Sequence, residues 1–185
     1  MYIADATELI RVDQIAGARA QTWCDLGCGT GTFTLALATL LPPGSVIHAI
    51  DKDERSLSQI PDRYQDVTIR KEVVNLGKSD LSLSALDGVL MANFLHFIKH
   101  QGAFIARLRS LSERLLVVEY DGRPPSPWVP YHTRSASLPY EACSWNEDLV
   151  KSPNLEPAPP DSAASCIQLW QNGKMNSATG TPGSR

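Results

Sequence analysis

Apolar residues in the first 120 positions alternate between short continuous runs and longer stretches with helical spacing. Short continuous runs are typical of strands that are covered on both faces of a parallel sheet. One such run ends at Asp25, and four others cover residues 46–50, 67–74, 85–91 and 115–120. The pattern therefore predicts five strands.

The stretches between these strands have apolar side chains at the spacing of helices. They cover residues 5–20, residues 32–41, a short stretch that ends at Pro61, and residues 99–111. We expect the first helix to cover the edge or mouth of the sheet, or alternatively to form part of a lid. Strands that alternate with helices form parallel sheets through right-handed βαβ units. We therefore expect an α/β, Rossmann-like doubly wound fold, with a mainly parallel sheet and helices on both faces.

The carboxyl-terminal third of the chain has a different composition. Residues 122–185 contain ten of the 13 prolines and show no sustained helical or strand period. Such sequence buries too little apolar surface to offset the entropy of ordering the chain. We expect one folded domain over residues 1–131, followed by a Pro/Ser-rich tail over residues 132–185 that is irregular or disordered.

Composition narrows the choice of partners. The net charge is −3 and no block of lysine and arginine occurs, so we expect no binding of nucleic acid. No apolar run approaches the ~20 residues that span a bilayer, and the amino terminus has no secretory pattern. We therefore expect a cytoplasmic protein without membrane contact. The sequence leaves the oligomeric state open.

The four cysteines, at positions 24, 28, 143 and 166, do not form a metal-binding pattern. Neither paired Cys-x-x-Cys spacing nor a Cys/His set is present, and both are typical of zinc or redox sites. We expect no metal, and we expect Cys24 and Cys28 to be buried or half-buried packing residues.

The most informative stretch is the glycine-rich turn between the first strand and the second helix. Gly27, Gly29 and Gly31 leave no Cβ on the turn, so a ligand can approach the backbone closely. The helix that follows presents unpaired N–H groups to an anionic or polar ligand. Asp25 precedes the turn, and Asp51 ends the second strand, where a carboxylate can bind ribose hydroxyls. These features predict a nucleotide-like cofactor.

Polar residues also follow the third and fourth strands, at Asn75 and Asn93. Ligands of open α/β sheets bind beyond the carboxyl ends of the strands. We therefore expect one crevice to collect these asparagines with Asp25, the glycine turn and Asp51.

Over residues 20–131 the sequence resembles the class I S-adenosylmethionine-dependent methyltransferases. The stretch Asp25-Leu26-Gly27-Cys28-Gly29-Thr30-Gly31 is similar to the glycine-rich motif of that family, and Asp51 to its ribose-binding acid. Asn75-Leu76 stands where these enzymes contact adenine, and the segment 92–96 where they contact the methionine part. The resemblance implies S-adenosylmethionine as cofactor. It implies the following binding residues: Asp25, Gly27, Cys28, Gly29, Thr30, Gly31, Asp51, Lys52, Asn75, Leu76 and Asn93.

The resemblance further implies methyl transfer to a small-molecule acceptor, which the sequence does not identify. His96 is the candidate general base, although a histidine among apolar neighbours is more often a packing residue. Residues 127–131 are similar to a loop that some of these enzymes place over the substrate. Two alternatives remain open: a methyltransferase-like binding protein without turnover, and an NAD-type dinucleotide-binding oxidoreductase.

The resemblance ends at the tail. Members of the family complete their sheet with an antiparallel hairpin after the fifth strand, preceded by a helix. No such helix or hairpin is evident after residue 131, so we expect the C-terminal strands to be missing or irregular.

Overall fold

The computed structural model describes residues 1–12, 15, 17–76, 86–112, 114–120, 165–171 and 174–176. The helices and strands that it contains are the following: α1 Ile3–Ile10, β1 Thr22–Leu26, α2 Thr32–Leu40, β2 Val46–Asp51, α3 Glu54–Leu57, β3 Arg63–Tyr64, β4 Val67–Val73, β5 Gly88–Ala92, a 3₁₀ turn Leu95–Phe97, α4 Gln101–Leu111, β6 Arg114–Tyr120, β7 Ser165–Gln171 and β8 Lys174–Asn176.

The strands of the described ranges form one sheet in the order β3-β4-β2-β1-β5-β6-β7-β8. The strands β4, β2, β1, β5 and β6 are mutually parallel, which confirms the predicted parallel sheet. The register places Leu26 beside both Ile50 and Met91. Because the strands are parallel and in register, their carboxyl ends meet at one edge, where we expected the ligand.

Both faces of the sheet carry a hydrophobic core, because successive strand residues point to opposite faces. On one face, Trp23, Ile47 and Leu90 pack with buried residues of α1 and α2. On the other face, Cys24 and Met91 pack with residues of α4, such as Leu108. Helices therefore cover both faces, and the prediction of a doubly wound α/β fold is confirmed.

The first helix is shorter than the sequence predicted. α1 ends at Ile10, and Arg11 already has an extended backbone, with φ −70° and ψ 101°. Ile15 is buried in the same core as Ile10, and its carbonyl accepts a hydrogen bond from the side chain of Gln21 at 2.9 Å. Val12 and Ile15, which continue the apolar period after Ile10, are therefore buried residues outside the helix.

The expectation that the tail adds no regular strands is wrong for two segments. β7 pairs with β6 in antiparallel register from Arg114 opposite Gln171 to Tyr120 opposite Ser165, and β8 pairs with β7. An unpaired edge of β6 would expose a row of backbone donors and acceptors, and β7 satisfies them. The sequence signal was the dipeptide Asn172-Gly173, which is typical of a hairpin turn. Residues 121–164 and 177–185, with the predicted domain boundary and the loop at 127–131, lie outside the described residues.

Candidate cofactor site

The glycine turn begins where β1 ends, and hydrogen bonds fix it to the end of β2. Gly27, Gly29 and Gly31 have φ values of 72°, 53° and 88°, in the left-handed region that favours glycine. The N–H groups of Gly27 and Cys28 both donate to the carbonyl of Ile50, at 2.8 and 3.1 Å. The backbone of the turn is therefore held by hydrogen bonds to β2.

The three glycines face different surroundings. A Cβ atom on Gly27 would lie 2.1 Å from the ring of Phe94, and one on Gly31 would lie 2.7 Å from Ile60. These two glycines are thus required by packing within the protein. A Cβ on Gly29 would have no atom within 4 Å. Gly29 therefore faces open space, and it is the point at which a ligand can approach the backbone.

Asp51 lies beneath this open face, at the end of β2. One of its carboxylate oxygens, Oδ2, accepts a hydrogen bond from the N–H of Gly29 at 2.9 Å. The other, Oδ1, accepts one from the N–H of Asp53, also at 2.9 Å. Asp51 is half-buried, and each carboxylate oxygen has a second lone pair. The residue therefore fixes the turn and still has acceptor capacity. Its neighbour Lys52 is exposed.

Asp25 is a buried carboxyl group directly before the turn, with 1% of its surface exposed. Thr34, in the first turn of α2, donates to Oδ2 at 2.6 Å. Oδ1 has no hydrogen-bond partner among the described residues. Burial raises the pKa of Asp25 to about 7, the Thr34 hydrogen bond opposes the rise, and the charge of Asp51 adds to it. A buried acceptor without a donor is costly, and it is typical of a site that receives one from a ligand.

The two cysteines beside the turn are packing groups, as the sequence predicted. Cys24 is buried and Cys28 is half-buried against the core that contains Ala49 and Ile60. Burial raises the pKa of both thiols, and the charge of Asp25 raises it further. Both side chains therefore stay protonated at neutral pH. Within the described ranges, no group of three or more metal-binding side chains occurs.

The residues predicted to contact adenine lie after β4. The N–H of Val74 donates to the carbonyl of Asp51 at 2.9 Å, which ties the end of β4 to the end of β2. Asn75 follows and is exposed, and Leu76 is half-buried against the core. Thr30 is exposed at the tip of the glycine turn.

On the other side of β1, the end of β5 carries Asn93 and His96. Asn93 has a left-handed φ of 53°, and its side-chain oxygen is buried without a hydrogen-bond partner among the described residues. His96 is 2% exposed, and its Nδ1 lies 2.9 Å from Oε2 of Glu119 on β6. The backbone N–H of His96 also donates to Oε1 of Glu119, at 3.4 Å. The carboxylate of Glu119 therefore orients the histidine.

Glu119 is the functional candidate that sequence reasoning missed. The signal in the sequence was that Glu119 is an acidic residue directly after the apolar run 115–118, within the same predicted strand. Its partner became evident only when the sheet placed β6 beside β5. The glycine turn and Asp51 are joined by a hydrogen bond, Asp25 is bonded to Thr34 of the helix that follows the turn, and Phe94 packs on Gly27.

A separate cavity of about 770 Å³ lies at the opposite edge of the sheet. Arg19, Asp87 and Arg114 line it, and Asp87 forms ion pairs with both arginines. Its polar side chains thus bind one another at the amino ends of the strands. The candidate site is at the carboxyl ends. No helix within the described ranges is long and apolar enough to traverse a bilayer.

Solved structures with the same architecture define the class of fold. The plantazolicin methyltransferase in complex with SAH has a TM-score of 0.55 with 14% identity, over 75% of this chain and 59% of its own. Coclaurine N-methyltransferase, bound to N-methylheliamine and SAH, has a TM-score of 0.50 with 15% identity, over 63% and 34%. A cyclopropane-fatty-acyl-phospholipid synthase-like protein from Lactobacillus casei has a TM-score of 0.52 with 16% identity, over 67% and 50%.

These similarities define a Rossmann-like fold of the class I methyltransferase type. The chain spans between a third and three fifths of the length of these three structures. Residues 24–113 match the family model described as a methyltransferase domain. No curated protein sequence matches the chain.

Proposed function

We propose that this protein binds S-adenosylmethionine in the crevice at the carboxyl ends of the strands and transfers its methyl group to a small molecule. The observation that carries the proposal is the open face of Gly29, with Asp51 hydrogen-bonded to the same residue. A ligand with a polar, hydroxyl-bearing group can reach both the backbone and a carboxylate there. The family of residues 24–113 supports this choice of ligand.

The residues at the crevice fit this cofactor. The glycine turn offers a surface without side chains, and the second lone pairs of Asp51 can accept from two ribose hydroxyls. Asn75 and Leu76 offer an amide and an apolar surface for adenine. Asp25 and Asn93 each hold a buried oxygen that no donor of the described part of the chain reaches, which suits a group rich in hydrogen-bond donors. We assign to the site the residues Asp25, Gly27, Cys28, Gly29, Thr30, Gly31, Asp51, Lys52, Asn75, Leu76 and Asn93.

Once bound, the cofactor supplies a methyl group on a positively charged sulfur, which an acceptor can take by in-line displacement. The protein contributes position, because a fixed near-attack geometry removes much of the entropic cost of such a step. An acceptor that carries a proton must also lose it. We assign that role to His96, with the proton taken at Nε2 because Glu119 lies against Nδ1.

Glu119 holds the ring in one orientation and stabilises the imidazolium that forms when His96 takes a proton. We therefore propose an acceptor with an ionisable O–H or N–H group. Coclaurine N-methyltransferase is bound to N-methylheliamine, which supports a small-molecule acceptor here.

The first experiment is calorimetric titration of the full chain with S-adenosylmethionine, SAH and NAD. We expect binding of the first two and none of NAD. Tighter binding of NAD would establish the oxidoreductase alternative, and no binding of any of them would refute the proposed site.

A matched pair of variants localises the binding. Gly29 and Gly44 both have left-handed backbones, and a Cβ on Gly44 would meet only ordinary contacts. Gly29→Ala and Gly44→Ala therefore carry a similar backbone cost, of about 1 kcal/mol. We expect only Gly29→Ala to lose affinity for S-adenosylmethionine.

Turnover is tested by mass-spectrometric detection of SAH with a panel of phenols, carboxylic acids and amines. We expect at least one of these classes to give SAH. A protein that binds the cofactor tightly but forms no SAH with any class would be the binding protein without turnover.

A further inference from the structure

Asp25 has the surroundings of a group that changes its protonation when a ligand binds. Its carboxyl is buried and precedes the glycine turn, and only one of its oxygens receives a hydrogen bond from the residues that the structure describes. A buried carboxylate with an empty acceptor position is unfavourable, whereas the neutral carboxyl tolerates the same place. A ligand that brings a donor or a positive charge reverses this preference.

We propose that Asp25 couples cofactor binding to the release of a proton: the carboxyl is protonated in the ligand-free protein and ionises when the cationic cofactor binds, and the proton passes to solvent. This inference rests on the proposed function. It concerns the ionisation of a residue of this chain, and it implies that affinity for a cationic ligand depends on pH.

The surrounding titratable groups favour the neutral form of Asp25 without a ligand. Asp51, from β2, is a second carboxylate whose charge raises the pKa of Asp25. Cys24 and Cys28, on β1 and in the turn, stay protonated and bring no charge. The elements α2 and β5, which pack against β1, contain no ionisable side chain, and His48 on the other neighbouring strand, β2, is paired with Glu72. Among the described residues, no cation is therefore in place beside Asp25, and the ligand supplies one.

The direction of the pH effect follows from linkage. Below a pKa of about 7 the ligand-free protein holds a proton that it must release on binding, so affinity falls as the pH falls. We expect the Kd for S-adenosylmethionine to rise about tenfold for each pH unit below 7, and to level off above 7.5. Titrations in two buffers of different ionisation enthalpy measure the protons released. We expect about one proton at pH 6 and about half a proton at pH 7.

Two variants separate Asp25 from other titrating groups. Asp25→Asn cannot ionise, so we expect weaker binding that is nearly independent of pH between 5.5 and 7.5. Any pH dependence that remains in this variant belongs to other titrating groups, such as the amino group of the cofactor. Thr34→Val removes the hydrogen bond that lowers the pKa of Asp25, and it keeps the side-chain shape. We expect it to move the midpoint of the affinity profile to higher pH.

The outcomes distinguish failure of the proton coupling from failure of the proposed function. Tight binding of S-adenosylmethionine with a flat pH profile and no proton release would overturn the coupling and leave the proposed function intact. An unshifted midpoint in Thr34→Val, with a pH profile in Asp25→Asn like that of the wild type, would assign the titration to another group and also overturn it. No binding at any pH would refute both proposals. The wild-type proton count needs no variant, so a variant that fails to fold does not prevent the test.

Discussion

Two regions of the site are built in different ways. The turn region, residues 25–34 with 50–53, is held mainly by backbone groups: left-handed glycines, and N–H groups that donate to Ile50 and Asp51. The dyad region, residues 93–97 with Glu119, depends on one side-chain pair, between His96 and Glu119. Beside that pair, Phe97 is 52% exposed.

Because of this difference, we expect substitutions in the two regions to have different effects, on binding in one region and on the reaction rate in the other. A substitution in the turn region changes the backbone that a ligand contacts, so it alters binding and folding together. Under the proposed function, a substitution in the dyad region changes the proton-accepting group, so we expect it to alter the rate. The experiments below test that division, from the largest expected effect to the smallest.

The largest effect is expected from Gly27→Ala. The new Cβ would lie 2.1 Å from the ring of Phe94, at a φ of 72° that alanine rarely adopts. Backbone strain and overpacking together should lower the free energy of unfolding by about 3 kcal/mol or more. Chemical denaturation measures it. Gly29→Ala is the control, because it has the same kind of backbone but open space around its Cβ, and we expect it to cost only about 1 kcal/mol in stability. Equal losses in the two variants would contradict the distinction between packing and ligand-facing glycines.

Asp51→Ala should weaken binding of S-adenosylmethionine by about 1.5–3 kcal/mol. The variant removes the proposed ribose acceptor and the acceptor that holds the N–H of Gly29. Calorimetric titration measures the loss. Asp53→Ala is the control, since Asp53 caps the short helix α3 with its side chain and keeps its own N–H bond to Asp51. An unchanged affinity in Asp51→Ala would mean that the ribose lies elsewhere.

The sequence predicts the two regions of the candidate site to different extents. The turn region was predicted because its signals are local: glycines at alternate positions, and an acid at the end of each of two apolar runs. The dyad region was predicted only in part, at Asn93 and His96. Glu119 gains its role from a partner 23 residues away on a neighbouring element, and residue spacing along the chain does not encode that distance.

Two other differences between the sequence predictions and the structure also arise from contacts between distant parts of the chain. The first helix was overextended because buried residues in a turn, such as Ile15, continue an apolar period without continuing the helix. The hairpin of β7 and β8 was missed because the composition of the whole tail outweighed a two-residue turn signal within it. In both cases, tertiary contacts determine the secondary structure, and the average composition or periodicity of a sequence window does not contain that information.

Glu119→Gln tests the dyad region. The glutamine keeps the size of the side chain but not the charge that stabilises a protonated His96, so kcat should fall by about tenfold to a hundredfold. We expect the affinity for S-adenosylmethionine to stay within about twofold of the wild type, because the amide oxygen of the glutamine can still accept from the N–H of His96. Steady-state assays with the acceptor found in the panel measure kcat and its pH profile.

The matched control for that variant is Glu72→Gln. His48 and Glu72 form a similar pair at 2.7 Å on β2 and β4, and neither is among the residues assigned to the site. Loss of this pair should leave kcat and its pH profile unchanged. The value of kcat should fall only in Glu119→Gln, because only there does the assigned base lose its counter-charge. Equal kcat values in both variants would reduce His96 to a packing residue.

The smallest effect is expected at Cys28, the side chain between the first two glycines of the turn. Burial and the charges of Asp25 and Asp51 raise the pKa of its thiol, so it stays protonated and unreactive. If the turn binds ligands through its backbone alone, Cys28→Ala should change the affinity for S-adenosylmethionine by less than about threefold, or roughly 0.6 kcal/mol.

Iodoacetamide should label the wild-type residue more slowly than a free cysteine at pH 8. Rapid labelling that abolishes binding would only show that a bulky group blocks the crevice. Rapid labelling together with weak binding in Cys28→Ala would show instead that a side chain of the turn takes part in recognition, and the division between the two regions would fail.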